Sequence, residues 1–281
     1  MLLVKTEKEL KPSLSVLRKN ASIGLVPTMG ALHKGHASLV QRALLENDVV
    51  VVSIFVNPTQ FNNREDLKKY PRNLEADITF LDAFSKDLVI FAPSVAEIYD
   101  TGIHAKEYNF GGLDKVMEGA FREDHFNGVG TIVEALLKLI RPDRAYFGEK
   151  DFQQLQIIRK LVKTRKIPVE IIGCEIVREH SGLAMSSRNE RLSDTLRKEA
   201  AVIFETLQTA KKLFGTKSAK YVMGWVKKQF EKQPQLRLEY FEITHADTLK
   251  SVKRKHQNTK YRAFVAVYAH DVRLIDNIAL N

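Results

Sequence analysis

The stretch SIGLVPTMGALHKGHASLV, residues 22–40, contains the pattern of a strand, a turn and a helix start. Its first five residues form an apolar run typical of a buried strand. Pro27 and Gly30 break that strand, and Gly35 allows the backbone to approach a ligand closely. We expect His36 to begin the following helix, whose N-terminus attracts anions. These features indicate, in outline, a site for a nucleotide triphosphate.

The same alternation of strand and helix continues for most of the chain. Further apolar runs that read as buried strands lie at residues 49–56, 87–93, 144–148 and 169–177. Segments with helical periodicity lie at residues 36–47, 73–84, 129–139 and 152–166. Such alternation predicts a Rossmann-like, doubly wound parallel sheet in an α/β fold. Ligands bind such a sheet at the carboxyl ends of its strands.

The pattern changes near residue 193. Two helical segments, 194–214 and 218–232, precede the alternating stretches LRLEYFEI and YRAFVAVYAH. This order predicts a smaller C-terminal α+β domain with an antiparallel sheet. We expect the domain change within 178–193, and assign 1–178 to the Rossmann-like domain and 179–281 to the smaller one.

The amino-acid composition and charge exclude several classes of protein. The 281 residues are 44% hydrophobic and 28% charged, typical of a folded globular chain. The sequence has no apolar stretch of about 18–20 residues and no recognisable signal peptide. We therefore expect a cytoplasmic protein with no membrane partner. The net charge of +10 comes almost entirely from residues 195–281. It peaks at 250–260, where no aromatic residue alternates with the lysines, so we expect a solvated loop and no nucleic-acid partner.

Two histidines stand out after the first strand. His33 and His36 are three residues apart, so both rings can face one phosphate at a helix N-terminus. A pair of incidental histidines at a helix start would give the same pattern. A metal site is a further alternative, although no third ligand lies nearby in sequence.

Polar loops follow three other strands. Asn57 and Gln60, after the second apolar run, can bind hydroxyl and carboxyl groups or simply form a polar turn. After the fourth, Gly148 makes a turn, Asp151 suits a helix N-cap, and Lys150 can contact a phosphate. After the fifth, residues 186–188 (Ser-Ser-Arg) suit the β- and γ-phosphates, or form an interdomain linker. Their convergence on one sheet edge favours the binding interpretation.

Five blocks of sequence carry a resemblance to a known family. They are VPTMGALHKGH (26–36), SIFVNPTQF (53–61), YPRNLEAD (70–77), RPDRAYFGEKDFQQL (141–155) and GLAMSSRN (182–189). The HxGH and M-S-S-R elements resemble those of the nucleotidylyltransferase superfamily, which includes class I aminoacyl-tRNA synthetases. Together the blocks resemble the pantoate–β-alanine ligases.

The resemblance implies an ATP-dependent ligase that joins pantoate to β-alanine through a pantoyl-adenylate, with magnesium accompanying ATP. It also implies a homodimer, and a C-terminal domain that closes over ATP. The resemblance implies a proton-donor role for His36, and the charge that develops at the α-phosphate makes His33, His36 and Lys150 the candidate catalytic residues. The implied ATP contacts are Pro27, Thr28, Met29, Gly30, His33, Gly35, His36, Gly148, Glu149, Lys150, Asp151, Val177, Met185, Ser186, Ser187 and Arg188. The implied contacts of pantoate or β-alanine are Met29, Asn57, Gln60, Tyr70 and Gln154, and the implied magnesium contact is Asp77.

The chain departs from the family pattern at two places. Residues 122–126 read REDHF where many members have R-P-T-H-F, which removes a proline that would fix the backbone φ angle. Ala76 replaces an acid found in other members, which leaves Asp77 as the magnesium candidate. Two other functions remain open at this point. They are another HxGH nucleotidylyltransferase that acts on a small phosphorylated substrate, and a non-catalytic RNA-binding relative that uses the basic C-terminal region.

Overall fold

The computed structural model describes residues 1–61, 64–99 and 102–281 of the chain. Over these residues the chain divides into two compact units. The first comprises Met1–Glu149 and Gln154–Glu175, and the second comprises Lys150–Gln153 and Ile176–Asn281. Four residues after Glu149 therefore belong with the C-terminal part of the chain rather than with their neighbours in sequence.

A parallel sheet forms the centre of the first unit. Its strands are β1 (Leu2–Val4), β2 (Ile23–Thr28), β3 (Val49–Ile54), β4 (Val89–Phe91), β5 (Arg144–Gly148) and β6 (Glu170–Cys174). Their order is β1-β4-β3-β2-β5-β6, and every pairing among the described residues is parallel. The chain proceeds outward from β2 to β4 and then returns to the other side of β2 as β5. This reversal between β2 and β5 is the point at which doubly wound sheets bind ligands, and the predicted fold class is confirmed.

Helices connect these strands. They are α1 (Glu7–Leu17), α2 (Lys34–Glu46), α3 (Arg64–Lys69), α4 (Leu74–Asp82), α5 (Val95–Ile98), α6 (Glu118–Phe121), α7 (His125–Ile140) and α8 (Phe152–Arg165). The β-branched runs of β2 to β4 are almost fully buried because helices cover them, as a parallel sheet requires. Across the described residues, no helix has both the length and the apolar character needed to cross a membrane.

The second unit combines three helices with an antiparallel sheet. The helices are α9 (Asp194–Glu199), α10 (Val202–Thr216) and α11 (Ala219–Phe230), and the strands are β7 (Leu236–His245), β8 (Tyr261–Ala269) and β9 (Val272–Ala279). The sheet order is β7-β8-β9. A continuous apolar core that includes Leu207, Val226 and Val265 joins the helices to the sheet. A smaller α+β domain with an antiparallel sheet is thus present as predicted.

Several elements differ from the sequence-based prediction, which did not include helices α1, α3, α5 and α6. Strands β1 and β9 were not predicted, the first because it has only three residues. The helix predicted over 194–214 is two helices, since residues 200–204 form i to i+3 hydrogen bonds that interrupt the α-helical ladder. No glycine or proline marks this interruption, so the periodicity could not reveal it.

Candidate active site

The loop after β2 has an unusual backbone that Asp77 holds in place. Gly30 and Ala31 both have positive φ angles, of 78° and 50°. Asp77 Oδ2 accepts from the N–H of Ala31 at 3.1 Å, and Oδ1 accepts from that of Leu32 at 2.7 Å. Gly30 is required here because a Cβ atom would lie 2.8 Å from Asp77 Oδ2.

Asp77, the predicted magnesium contact, anchors the HxGH loop in this structure, and its metal role stays a prediction. It is 4% exposed and lies in the first turn of α4. Burial raises the pKa of its carboxyl group, and the hydrogen bonds from Leu32 and Ala31 oppose that rise. Among the described residues, no cluster of three or more His, Cys, Asp or Glu side chains is arranged to hold a metal ion. These side chains therefore offer no ready-made magnesium cage.

His33 and His36 together cap the N-terminus of α2. The helix begins at Lys34, with His33 as its N-cap, so the predicted start at His36 was wrong by two residues. His33 Nδ1 accepts from the N–H of Gly35 at 3.1 Å, and the N–H of His33 donates to His36 Nδ1 at 3.3 Å. This reciprocal pair is a capping box built from two histidines.

The capping box fixes what each imidazole can do chemically. Because Nδ1 of His33 and of His36 accepts a hydrogen bond, the proton of each neutral ring lies on Nε2. Both rings therefore carry an Nε2–H donor, and their centroids are 4.1 Å apart. Two such donors at a helix N-terminus, beside the β2–β5 reversal, suit an anionic ligand such as a phosphate. The histidine pair thus has a structural role at the helix start, and its contact with a phosphate stays a prediction.

The turn after β3 ends at Gln60, and two side chains bind the backbone carbonyl of that residue. Gln60 ends a short 3₁₀ turn, Pro58–Gln60, and is 7% exposed. Its carbonyl oxygen accepts from Arg122 Nη2 at 3.1 Å and from His125 Nδ1 at 2.9 Å. Since His125 Nδ1 donates, its Nε2 accepts from Arg122 Nη1 at 3.2 Å. The two side chains thus form a clamp on the Gln60 backbone.

Asn57 and Gly128 complete the support of this turn. Asn57 has no exposed surface, its Nδ2 donates to the carbonyl of Gly128 at 3.1 Å, and its Oδ1 accepts from Tyr99 at 2.5 Å. Asn57 therefore supports the turn, and its predicted contact with the substrate stays a prediction. A Cβ atom on Gly128 would lie 2.2 Å from the carbonyl oxygen of Thr59. Only glycine lets α7 approach the turn so closely.

The remaining first-unit candidates lie on neighbouring elements. Tyr70 is 8% exposed and packs edge-on against Phe61, with ring centroids 5.5 Å apart. Gly148 ends β5, and Gln154 lies half-buried in the first turn of α8. Pro27 and Thr28 end β2, and Met29 follows it.

Lys150 belongs to the second unit. It lies in a short 3₁₀ turn, Glu149–Asp151, which directly precedes α8. Its side chain is 19% exposed, and its Nζ lies 3.8 Å from Asp151 Oδ1. The carbonyl of Lys150 accepts from Asn277 Nδ2 at 2.9 Å. The predicted N-cap Asp151 is the last residue of the 3₁₀ turn.

The Met-Ser-Ser-Arg segment is an ordered turn in the second unit, not a free linker. The N–H of Met185 donates to the carbonyl of Val177 at 3.0 Å, which closes a hairpin. Ser186 then caps a 3₁₀ turn, Ser187–Arg191, by accepting from the N–H of Arg188 at 3.3 Å. Asn189 Nδ2 donates to Glu179 Oε1 at 2.7 Å, which ties the turn to the hairpin. Ser187 itself is 8% exposed.

Sequence reasoning missed the supporting residues. Arg122 and His125 flank the two acids, Glu123 and Asp124, at which the chain departs from the family pattern, and neither lies directly after an apolar run. Asn277 lies in the unpredicted strand β9. The signal for it was the pair Asp276–Asn277 within the otherwise apolar run LIDNIAL, because two adjacent polar residues in a buried strand need partners.

Comparisons of the chain with family models, curated relatives and solved structures all point to the same family. The family model described as "Pantoate-beta-alanine ligase" matches residues 2–279. A protein of Christiangramia forsetii named pantothenate synthetase is 60% identical over 260 residues, with 92% of each chain covered. The crystal structure of pantothenate synthetase from Thermus thermophilus matches with a TM-score of 0.92 at 41% identity, covering 100% of this chain and 99% of that one.

A second solved structure has bound ligands. It is a pantoate–β-alanine ligase from Francisella tularensis, complexed with β-γ ATP and β-alanine. It matches with a TM-score of 0.81 at 37% identity, covering 100% of this chain and 98% of that one. The family match, the identities and the shared fold extend over nearly the whole chain, and the chain therefore belongs to the pantoate–β-alanine ligase family.

Proposed function

We propose that the protein condenses pantoate with β-alanine at the expense of ATP, through a pantoyl-adenylate. The observation that carries the proposal is the histidine capping box of α2, which supplies two Nε2–H donors at the carboxyl end of β2. Family membership and the relative that binds β-γ ATP and β-alanine support the choice of substrates.

The first step is attack on the α-phosphorus of ATP. A carboxylate oxygen of pantoate forms a P–O bond, and the bond to the β-phosphate breaks, which releases pyrophosphate. Both reactants are anionic, so donors must already face the phosphoryl oxygens where charge develops. We assign this role to His33, His36 and the Lys150 ammonium.

The second step needs no nucleophilic side chain from the protein. The amine of β-alanine attacks the acyl carbon, the C–O bond breaks, AMP leaves, and the nitrogen loses a proton. The mixed anhydride is already activated, so holding the two reactants in the correct orientation accounts for much of the rate. We assign this positioning to Gln60 and Gln154, whose amides can both donate and accept, with Met29 and Tyr70 beside pantoate.

The other predicted contacts fit the nucleotide. Ser186, Ser187 and Arg188 suit the β- and γ-phosphates, since a guanidinium can bind two phosphate oxygens at once. We further propose that Val177, Met185 and the backbone of residues 148–151 contact ATP.

Magnesium, assembly and location remain predictions. Magnesium commonly binds through substrate phosphates and retained waters, which agrees with the commitment of Asp77 to the HxGH loop. We propose that it enters with ATP. A homodimer is predicted from the family resemblance, and a cytoplasmic location and closure of the C-terminal domain are also predictions.

Isotope exchange tests the proposal. ATP–pyrophosphate exchange should require pantoate and proceed without β-alanine, whereas AMP should accumulate only when both are present. Exchange that needs a phosphorylated substrate instead would favour another nucleotidylyltransferase. Absence of exchange under all conditions, with binding of RNA, would contradict an enzymatic role.

A further inference from the structure

Strand β9 contains two adjacent polar residues that are buried. Asp276 is 4% exposed and Asn277 is 1% exposed. Neighbouring strand residues point to opposite faces, so the two side chains must find partners on different sides of the sheet. Asp276 pairs with Arg178, whose Nη1 and Nη2 lie 2.6 Å and 3.0 Å from its carboxylate oxygens. This ion pair accounts for Asp276 but not for its neighbour.

Asn277 contacts the turn that carries Lys150. Its Nδ2 donates to the backbone carbonyl of Lys150 at 2.9 Å. Its Oδ1 accepts from Arg262 Nη1 on the adjacent strand β8. Because the guanidinium can only donate, Arg262 fixes which end of the amide is oxygen and leaves the NH₂ group facing Lys150. The orientation of Asn277 is therefore set by the sheet.

The same turn is also held through Phe152. The Arg262 guanidinium lies over the Phe152 ring, with its carbon 3.8 Å from the ring centroid. Phe264 packs against the same ring, with the two centroids 6.0 Å apart. Arg262 thus contacts both Phe152 and the amide that binds Lys150. These contacts attach residues 150–152 to strands β8 and β9.

We infer that Asn277 is a positioning residue for Lys150. A lysine side chain is long and flexible, so the position of its ammonium group depends on where its backbone is fixed. A displacement of about 1 Å at a reacting group can cost about 100-fold in rate. The inference rests on the proposed function, since it assumes that Lys150 stabilises the first step.

Two substitutions test the inference in the full-length enzyme. Asn277→Ala removes the bond to Lys150. Asn277→Asp keeps the shape and the acceptor for Arg262 but loses the donor, so it remains informative if the alanine variant fails to fold. Each should lower the kcat of pantoate-dependent ATP–pyrophosphate exchange about tenfold, with the KM for pantoate unchanged. Asn281→Ala is the control, because Asn281 also bridges backbone groups but contacts Thr259 and Tyr261.

A double-mutant cycle separates positioning from a general structural effect. Combined with Lys150→Ala, either Asn277 substitution should cause no further loss of exchange. If an Asn277 substitution lowers exchange equally with Lys150 present and with Lys150→Ala, the inference is overturned. It is also overturned if a folded Asn277 variant keeps the wild-type kcat while Lys150→Ala lowers it. If Lys150→Ala itself keeps wild-type exchange, the inference falls together with the role proposed for Lys150. If the wild-type enzyme shows no pantoate-dependent exchange, the proposed function fails as well.

Discussion

Asp77 Oδ1 accepts a 2.7 Å hydrogen bond from the backbone N–H of Leu32, one residue before the N-cap of α2. With the bond from Ala31, it fixes the loop that presents His33 and His36. An acid that sequence patterns associate with magnesium thus supports the backbone of the HxGH loop.

Asp77→Asn separates these two roles. An amide oxygen can accept one of the two N–H groups, but the amide nitrogen would oppose the other, so the loop should shift. We expect the rate of pantoate-dependent exchange to fall about 10- to 100-fold, with an unchanged midpoint in a magnesium titration. Restoration of the wild-type rate at high magnesium concentration would instead identify Asp77 as a metal ligand.

His36 substitutions test donation from Nε2. His36→Ala should lower exchange by about 10²- to 10³-fold, as expected on loss of one preorganised donor. His36→Gln can place an amide N–H near the position of Nε2 and should recover part of that loss. Equal loss in both variants would point to proton transfer by the imidazole rather than hydrogen bonding. His104→Ala, at an exposed histidine, serves as the control.

Gly128→Ala tests the support of Gln60. The added methyl group would meet the Thr59 carbonyl and push away the turn that ends in Gln60. We expect the KM for pantoate to rise about tenfold and the free energy of unfolding to fall by about 2 kcal/mol. Gly224→Ala is a matched control, because Gly224 also lies in a helix but has open space around its Cβ position. That variant should keep its KM and gain up to about 1 kcal/mol of stability.

The buried Glu134 makes stability depend on pH. Burial alone would raise its pKa, but hydrogen bonds from Lys138 and Tyr108, with the charge of Lys106, leave the pKa below its usual 4.5. The unfolded chain then binds more protons, so this stabilisation is present above about pH 4.5 and is lost as the pH falls through the folded pKa.

Urea unfolding of Glu134→Gln checks this dependence. At pH 7 the free energy of unfolding should fall by about 2 kcal/mol, and the difference from wild type should narrow below pH 4.5. A difference that stays constant with pH would contradict the charge-based explanation. Glu170→Gln, which affects an exposed pair with Arg144, should change stability by less than about 1 kcal/mol.

The sequence predicted the fold class because strand and helix periodicities are local signals. It also predicted that the HxGH loop and the Gln60 turn are binding sites, since each directly follows an apolar run. It could not predict the clamp of Arg122 and His125 on Gln60, because those partners are more than 60 residues away in the chain. Asn277 and Lys150 are separated by 127 residues. Such contacts depend on the tertiary structure, and the periodicity of the sequence carries no information about which distant residues meet.

Transfer of oxygen from pantoate tests the pantoyl-adenylate most directly. In the proposed first step a carboxylate oxygen bonds to the α-phosphorus, and in the second the C–O bond breaks, so that oxygen leaves with AMP. Pantoate labelled with ¹⁸O in its carboxylate should therefore deliver one labelled oxygen to AMP in each turnover, as measured by mass spectrometry. Unlabelled AMP, or label in inorganic phosphate, would contradict the adenylate route.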